Sequence, residues 1–289
     1  MPLRKVLYAL VLLGLAGFVS GCINNQNKVE LPSADYDLTK PAKIVLSDAL
    51  AEISGISFYP KDSSVFAISD ESGFLFKIQL AKQFRTEQWS FGQKRDFEDV
   101  VQHGAAFFIL ESNGNVETLN FSKKGDTIYN RRTIFPGDNK KLMEFESLYY
   151  DDQYKGLVMI CKDCEDDKRS YTSAYFYNPV IDSFAGPIFR IQTGDIASRL
   201  GLAEIKFRPS AATINPLTQD VWVLSSTNQI IAVLDRQGAV KDVFTLNPAI
   251  FHQPEGITFT PSGDLMIANE AGDKYNSATL LILKHKKKG

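Results

Sequence analysis

Pro254-Glu255-Gly256-Ile257-Thr258-Phe259 is the clearest of five similar stretches along this chain, each with a small or acidic anchor residue followed by an apolar strand. The anchors are at positions 54, 98, 146, 210 and 255, so they lie 44, 48, 64 and 45 residues apart. A repeat in the forties is typical of the four-stranded blades of a β-propeller. The other copies are Ile53-Ser54-Gly55-Ile56-Ser57-Phe58, Phe97-Glu98-Asp99-Val100-Val101, Phe145-Glu146-Ser147-Leu148-Tyr149 and Pro209-Ser210-Ala211-Ala212-Thr213-Ile214.

Each copy is followed by further short apolar runs that are separated by turns. The second run is almost continuously apolar, as in Val65–Ser69 and Val221–Leu224, which is expected of a strand covered on both faces. The last copy has only three runs before the chain ends, and Ala42–Leu46 ahead of the first copy is available as its fourth strand. This pairing would close the ring and remove a sheet edge. We therefore predict an all-β fold, a five-bladed β-propeller closed by an N-terminal strand.

The 64-residue interval between the third and fourth anchors leaves one alternative open. A six-bladed ring with a degenerate blade in that interval would also satisfy the pattern. The interval contains Gly194–Leu202, for which we predict a short helix.

The composition of the 289 residues excludes several classes of protein. A hydrophobic fraction of 44%, a charged fraction of 23% and a formal net charge of −2 are close to those of ordinary globular proteins. They argue against a disordered, collagen-like or polytopic membrane protein. There is no basic excess with which to bind nucleic acid, so we predict no nucleic-acid partner.

The N-terminus has the features of a bacterial export signal. Arg4 and Lys5 precede an apolar run of 14 residues, Val6–Val19, which is too short to span a bilayer. Val19-Ser20-Gly21-Cys22 resembles a lipoprotein box, although a plain secretory signal with a chance cysteine is the alternative. We predict a signal peptide over 1–21, lipidation of Cys22, a flexible tether over 22–36 and one propeller domain over 37–289. The predicted location is the cell envelope, anchored to a membrane and facing the periplasm.

Two cysteines remain after export, Cys161 and Cys164, in an oxidising compartment. Haem attachment would need His where Glu165 stands, and a zinc site would need a second pair of ligands. Thioredoxin-type exchange lacks the βαβ setting that we would expect for it. We predict a disulfide between the two cysteines that staples a surface loop.

Propeller connectivity predicts an acidic face. The loop that enters the first strand of a blade and the loop that leaves its second strand lie on the same side of the disc. Three anchor glutamates, Glu98, Glu146 and Glu255, are in register in three blades, and we predict that they bind a metal at the channel mouth. Oxygen ligands favour a hard ion, and tolerance of irregular geometry favours Ca²⁺. Further candidates at the mouth are Glu52, Asp70, Glu111, Lys162, Asp163, Arg208 and Glu270.

With these residues in place, the chain resembles the SdiA-regulated family of exported bacterial β-propeller lipoproteins, which are related to esterase-like phytase and NHL-type propellers. The resemblance covers roughly residues 40–284 and implies a propeller, possible calcium at the channel and no settled activity. The fourth and first copies have Ser210 and Ser54 in place of glutamate, so the acidic ring is incomplete. The motifs that carry it are Glu52-Ile53-Ser54-Gly55-Ile56, Asp96-Phe97-Glu98-Asp99-Val100, Phe145-Glu146-Ser147-Leu148, Lys162-Asp163-Cys164-Glu165, Arg208-Pro209-Ser210-Ala211 and Gln253-Pro254-Glu255-Gly256-Ile257.

Two functions fit these observations. The first is a lipid-anchored binding module that presents a calcium-organised face to a small-molecule, glycan or protein ligand. The second is a metal-dependent hydrolase of phosphoesters or lactones, in which the ion activates a water molecule. No nucleophile elbow, zinc motif, phosphate loop or dinucleotide fingerprint is present in the sequence, so the first function is favoured.

Overall fold

The computed structural model describes residues 30–70, 72–80, 85–125, 127–137, 141–167, 169–272 and 277–286. The predicted signal peptide, 1–21, and the predicted lipidation site, Cys22, lie outside these residues. No helix in the described ranges is both long enough and apolar enough to cross a membrane.

Twenty strands form five four-stranded antiparallel sheets. Blade 1 contains β2–β5, blade 2 β6–β9, blade 3 β10–β13, blade 4 β14–β17, and blade 5 joins β18–β20 to β1. The strands are β1 Ala42–Val45, β2 Ile53–Tyr59, β3 Ser64–Ser69, β4 Phe74–Gln79, β5 Arg85–Ser90, β6 Phe97–His103, β7 Ala106–Glu111, β8 Val116–Phe121, β9 Ile128–Thr133, β10 Met143–Asp151, β11 Gly156–Cys164, β12 Tyr171–Asn178, β13 Ser183–Gln192, β14 Ala211–Ile214, β15 Val221–Ser225, β16 Ile230–Leu234, β17 Val240–Thr245, β18 Pro254–Phe259, β19 Leu265–Asn269 and β20 Thr279–Leu283.

The inner strands form a closed ring, which confirms the five-bladed propeller. Each of β2, β6, β10, β14 and β18 contacts the inner strands of both neighbouring blades. The predicted closure is also present, because β1 pairs antiparallel with β20 from Ala42 opposite Ile282 to Val45 opposite Thr279. The last blade is thereby completed by the strand that precedes the first, and its edge is covered.

The described residues of the long interval between the third and fourth anchors form no sixth blade. Its length is taken up by the strands of blade 3, which have 9, 9, 8 and 10 residues, and by one short α-helix. This helix, α1 Thr193–Arg199, overlaps the predicted helix at Gly194–Leu202 but ends earlier. Ile196 and Ala197 on its inner face are buried against blades 3 and 4.

The hydrophobic core is divided among the five interfaces between neighbouring blades. Between blades 1 and 2 the rings of Phe66 and Phe107 lie 4.4 Å apart. Between blades 4 and 5 Trp222 and Phe259 meet edge to face at 5.4 Å. Every residue of the second strands β3 and β15 is buried, as their continuous apolar sequences predict. Flat blades with both faces covered explain why the second strands lack polar alternation.

The structure moves the boundary between the predicted tether and the domain. Residues 30–36 were assigned to the tether, but Leu31 exchanges backbone and side-chain hydrogen bonds with Thr245 at the end of β17. The Tyr36 ring is buried against Trp222, and its hydroxyl donates to the Gly263 carbonyl at 2.6 Å. The buried ring of Tyr36 and its hydrogen-bonded hydroxyl hold this residue against the propeller. The hydrogen bonds of Leu31 with Thr245 do the same for Leu31, so both residues pack with the domain.

Candidate functional site

A cavity of about 270 Å³ lies at the end of the ring where the inner strands begin, and we call it the acidic mouth. Its walls come from blades 1, 2, 3 and 5. Seven acidic side chains and a single lysine line it, so its charge is strongly unbalanced. The lining residues are Ser54, Asp70, Asp96, Glu98, Glu144, Glu146, Lys162, Gln253, Glu255 and Glu270.

β-Bulges direct the anchor glutamates into the acidic mouth. In blade 2 the pairing of β6 with β7 passes from Phe97 to Asp99 and leaves Glu98 without a partner residue. The same irregularity leaves out Glu146 in blade 3 and Glu255 in blade 5. A bulge inserts one unpaired residue, bends the strand and changes the direction of a side chain. The three glutamates predicted as metal ligands therefore lie in one cavity because the same distortion recurs in three blades.

Lys162 is the lysine of the acidic mouth, and it too is a bulge residue. On β11 the pairing passes from Cys161 to Asp163 opposite β10, which leaves Lys162 extra. Its ammonium contacts the carboxylate of Glu146 and lies 3.3 Å from Glu144 Oε1. One positive charge of the chain itself thus neutralises part of the acidic mouth.

The carboxyls of the acidic mouth are hard to ionise. Burial raises the pKa of Glu98 to about 9, with the negative charges of Asp96 and Asp70 adding to the effect and Lys162 opposing it. Burial also raises the pKa of Glu255 to about 7, against hydrogen bonds from the Ser226 and Ser210 side chains. Desolvation penalises the charged form of an acid, and nearby like charges add to that penalty.

Glu270 behaves in the same way, which places a further predicted residue. Burial raises its pKa to about 7, and the charges of Glu52 and Asp70 contribute. Glu52 therefore lies close enough to influence the acidic mouth, although it is not among the lining side chains. Gln253 donates a hydrogen bond to Glu270. Three carboxyls with raised pKa values, Glu98 of blade 2 and Glu255 and Glu270 of blade 5, thus share one poorly solvated cavity.

Two of the predicted residues lie beside the acidic mouth rather than in it. Asp163 accepts hydrogen bonds from Arg208 and, at 2.6 Å, from Lys206. Both cations lower the pKa of Asp163 against the effect of burial. Asp163 and Lys206 line a neighbouring cavity of about 190 Å³, which Lys162 also borders. The ion pairs between blades 3 and 4 therefore form a separate group on the same face.

Glu111 does not belong to the acidic mouth, which corrects our expectation. It is buried next to Glu117, where it pairs with Arg132 on β9 and accepts a hydrogen bond from Asn115 at 3.0 Å. Arg95 lies 3.7 Å from it. The end of a second strand is one strand further from the axis than an anchor residue. Its side chain can therefore meet the outer strands of its own blade, as Glu111 does.

Asp96, Glu144 and Gln253 also line the acidic mouth, and sequence reasoning had not selected Asp96 or Gln253. Each stands two residues before an anchor glutamate. In an extended chain, residues two apart point to the same face. A search for polar residues at that spacing would have found all three.

Asp99 lies next to the anchor of blade 2 but has a structural environment of its own. It is buried, and its two carboxylate oxygens accept backbone N–H groups of Val100 and Leu148, each at 2.8 Å. Ala212 of blade 4 also donates to it. Burial raises its pKa, and these three donors oppose the shift. One side chain therefore connects the inner strands of blades 2, 3 and 4.

Outside the acidic mouth, one group of potential metal-binding atoms in the described residues lies close together. Cys161, Cys164 and Asp167 have ligand atoms within 4.8 Å of one another. The two sulfurs are joined in a disulfide, which withdraws them as thiolate ligands. Among the described residues no other set of three His, Cys, Asp or Glu side chains converges so closely. The three anchor glutamates share a cavity, but their oxygens are not within that distance.

No protein-family model and no curated protein matches the sequence. The similarity to solved structures is one of fold. Glutaminyl cyclase of Myxococcus xanthus has a TM-score of 0.56 at 13% identity, covering 85% of this chain and 97% of its own. The PQQ-bound aldose sugar dehydrogenase of Streptomyces coelicolor has a TM-score of 0.51 at 11% identity, covering 86% and 99%. Such neighbours are β-propellers, and identities this low show the architecture alone.

Proposed function

We propose that this protein is a cell-envelope lipoprotein whose acidic mouth binds Ca²⁺ and, with it, a small-molecule, glycan or protein ligand. The unbalanced charge of the cavity carries the proposal: seven acidic side chains face one lysine. Burial is the main cause of the raised pKa values of Glu98, Glu255 and Glu270, and the charges of neighbouring carboxylates add to it. A bound divalent cation would supply positive charge and restore the ionised carboxylates.

Calcium suits this cavity better than magnesium does. Ca²⁺ accepts six to eight oxygens in flexible geometry, whereas Mg²⁺ needs a near-ideal octahedron. The anchor glutamates come from three blades, and Ser54 and Ser210 interrupt the ring of acids. The ligand oxygens are therefore not arranged as a regular octahedron. Binding would rotate the glutamates inward and release the contact between Lys162 and Glu146.

Thermal unfolding in CaCl₂ and in EDTA tests the proposal. A ligand at a hundred times its Kd that binds only the folded state adds about 2.7 kcal/mol, which raises Tm by roughly 5–10 °C for a domain of this size. Glu98→Gln, Glu146→Gln and Glu255→Gln should each reduce the rise, whereas Glu204→Gln, at an exposed site, should not. An equal Tm in CaCl₂ and EDTA would remove calcium from the proposal.

Proton release provides a second measurement. Because Glu98 and Glu255 have pKa values of about 9 and 7, both hold protons near neutral pH that a bound cation would expel. Calorimetric titration at pH 7 in buffers of different ionisation enthalpy should show that Ca²⁺ binding releases protons. Lys162→Met should bind Ca²⁺ more tightly than the wild type, since the competing ammonium is gone.

The hydrolase alternative is supported by a different feature of the same cavity. Two carboxyls with pKa values of about 9 and 7 could act as an acid and a base at neutral pH. A panel of phosphoesters and lactones, assayed with Ca²⁺, tests it. Turnover that depends on both Glu98 and Glu255 would favour catalysis, and turnover unchanged in both glutamine variants would exclude these residues.

The membrane anchor is tested separately from the acidic mouth. We expect Cys22→Ser to release the protein from the membrane fraction of expressing bacteria and to abolish metabolic labelling with a fatty acid. A wild-type chain that is neither labelled nor membrane-bound would leave the acidic mouth as a feature of a secreted protein.

A further inference from the structure

The disulfide between Cys161 and Cys164 lies at the end of β11 that carries Lys162, beside the acidic mouth. Cys161 is completely buried, whereas Cys164 is 6% exposed and lines the neighbouring cavity of about 190 Å³. The two sulfurs therefore differ in access. A small thiol that enters this cavity would meet Cys164, while Cys161 stays enclosed.

A buried carboxyl stands next to both sulfurs. One oxygen of Asp167 lies within 4.8 Å of the sulfur atoms of Cys161 and Cys164. Asp167 is 8% exposed and accepts hydrogen bonds from the Ser173 backbone N–H at 2.9 Å and hydroxyl at 2.6 Å. Burial raises its pKa against these hydrogen bonds. A carboxyl that is held in place and hard to ionise can carry a proton to or from a neighbouring thiolate.

Cationic side chains also line the cavity close to the disulfide. Lys162, Arg169 and Lys206 line it together with Cys164. Three acids also line the cavity, Asp163, Glu165 and Asp167, and Asp163 is already paired with Lys206. Nearby cations lower the pKa of a cysteine and so increase its thiolate fraction. A disulfide with only a structural role would need neither the nearby cations nor the adjacent carboxyl.

We propose that the Cys161–Cys164 disulfide exchanges with the thiols of a dithiol partner that enters the cavity beside the acidic mouth. A partner thiol loses its proton to solvent, and its thiolate attacks the Cys164 sulfur. A partner–Cys164 disulfide forms while the Cys161–Cys164 bond breaks, and the Cys161 thiolate takes a proton that the Asp167 carboxyl relays from solvent. These atoms are those of an ordinary thiol–disulfide exchange.

The second half of the exchange returns each proton. The partner's second thiol loses its proton to solvent through the Asp167 carboxyl, and its thiolate attacks the partner sulfur of the mixed disulfide. The partner leaves with its own disulfide, and the Cys164 thiolate takes a proton from solvent. In total the partner dithiol is oxidised and the cysteine pair is reduced by two electrons and two protons. The site is distinct from the acidic mouth, and the proposal does not depend on calcium.

The test uses the folded protein with dithiothreitol as the dithiol. We expect free thiols at Cys161 and Cys164 to appear within minutes at pH 7.5 without denaturant, while Tm reports that the fold persists. In Cys161→Ser, the remaining Cys164 thiol should react with oxidised glutathione and with Ellman's reagent at least tenfold faster than the Cys161 thiol does in Cys164→Ser. Asp167→Asn should slow the exchange and change its dependence on pH.

Two outcomes would overturn the proposal. One is a disulfide that dithiothreitol reduces only after urea unfolds the chain. The other is equal reactivity of the thiols in the two single-cysteine variants. This comparison requires that both variants have the wild-type Tm. The first measurement needs no variant, so the proposal stays testable if Cys161→Ser or Cys164→Ser fails to fold. Exchange that is unaffected by Asp167→Asn would remove the carboxyl from the mechanism.

Discussion

Replacing Glu98 with glutamine should stabilise the metal-free protein, although the side chain belongs to the proposed binding site. The pKa of the Glu98 carboxyl is about 9 in the folded protein, and 4.5 is its ordinary value, which we use for the unfolded chain. The folded state therefore binds more protons between these two values, and its stability is highest at acid pH and falls as pH rises toward 9. At pH 7 this difference costs the wild type about 3 kcal/mol, at about 1.4 kcal/mol per pH unit.

Glutamine resembles the protonated acid, since its amide can donate to Asp96 as the carboxyl does. In urea titrations with EDTA, Glu98→Gln should match the wild type within about 1 kcal/mol at pH 4.5 and exceed it by about 3 kcal/mol at pH 7. Glu204→Gln, on the surface, is the matched control. Equal free energies of unfolding for Glu98→Gln and the wild type at pH 7 would refute the argument that burial of this carboxyl opposes its ionisation.

Three substitutions test the structure around the site, each by urea titration. Asp99→Ala removes the acceptor of two backbone N–H groups held at 2.8 Å, and we expect a loss of about 2–6 kcal/mol. Tyr36→Ala should cost about 3–5 kcal/mol if residues 30–36 are part of the domain, and almost nothing if they are a free tether. Asp151→Asn removes the partner of Arg236 from a buried ion pair at 2.7 Å and should cost about 3–5 kcal/mol, whereas Asp152→Asn, exposed, should be neutral.

The sequence was sufficient to predict the ring and its closure. The spacing of the anchors favoured five blades and left six as an alternative, and the surplus strand Ala42–Leu46 matched the strand missing from the last blade. Both are consequences of hydrophobic periodicity along the chain, which is a local signal. The same signal predicted that Glu98, Glu146 and Glu255 share a face, because equivalent positions of equivalent blades must do so.

The sequence did not show in which direction individual side chains point from the strands of a blade. The bulges at Glu98 and Lys162 depend on how two strands pair, and nothing in the residues themselves marks them. Glu111 was expected at the mouth from its loop, but the ion pair with Arg132 is a contact between second and outer strands that no spacing rule specifies. The contacts of Tyr36, within the predicted tether, could not be predicted for a related reason, since its packing site is built by residues of blades 4 and 5 that lie far from it in the sequence.

Ser210 is one of the two serines that leave the ring of acidic anchors incomplete. In blade 4 it occupies the position that glutamate holds in three other blades, and it is 4% exposed. Its hydroxyl donates to the Pro254 carbonyl at 3.0 Å and accepts from the Ser226 backbone N–H at 3.2 Å, so it joins blades 4 and 5 directly beside Glu255. The same hydroxyl proton can be donated to Glu255 instead, which opposes the rise in the pKa of that carboxyl. A fourth anchor glutamate would lose these contacts and add charge to a cavity whose acids already resist ionisation.

Ser210→Glu should therefore lower the free energy of unfolding in EDTA and raise the pKa of Glu255, whereas Ser210→Thr should keep both near the wild type.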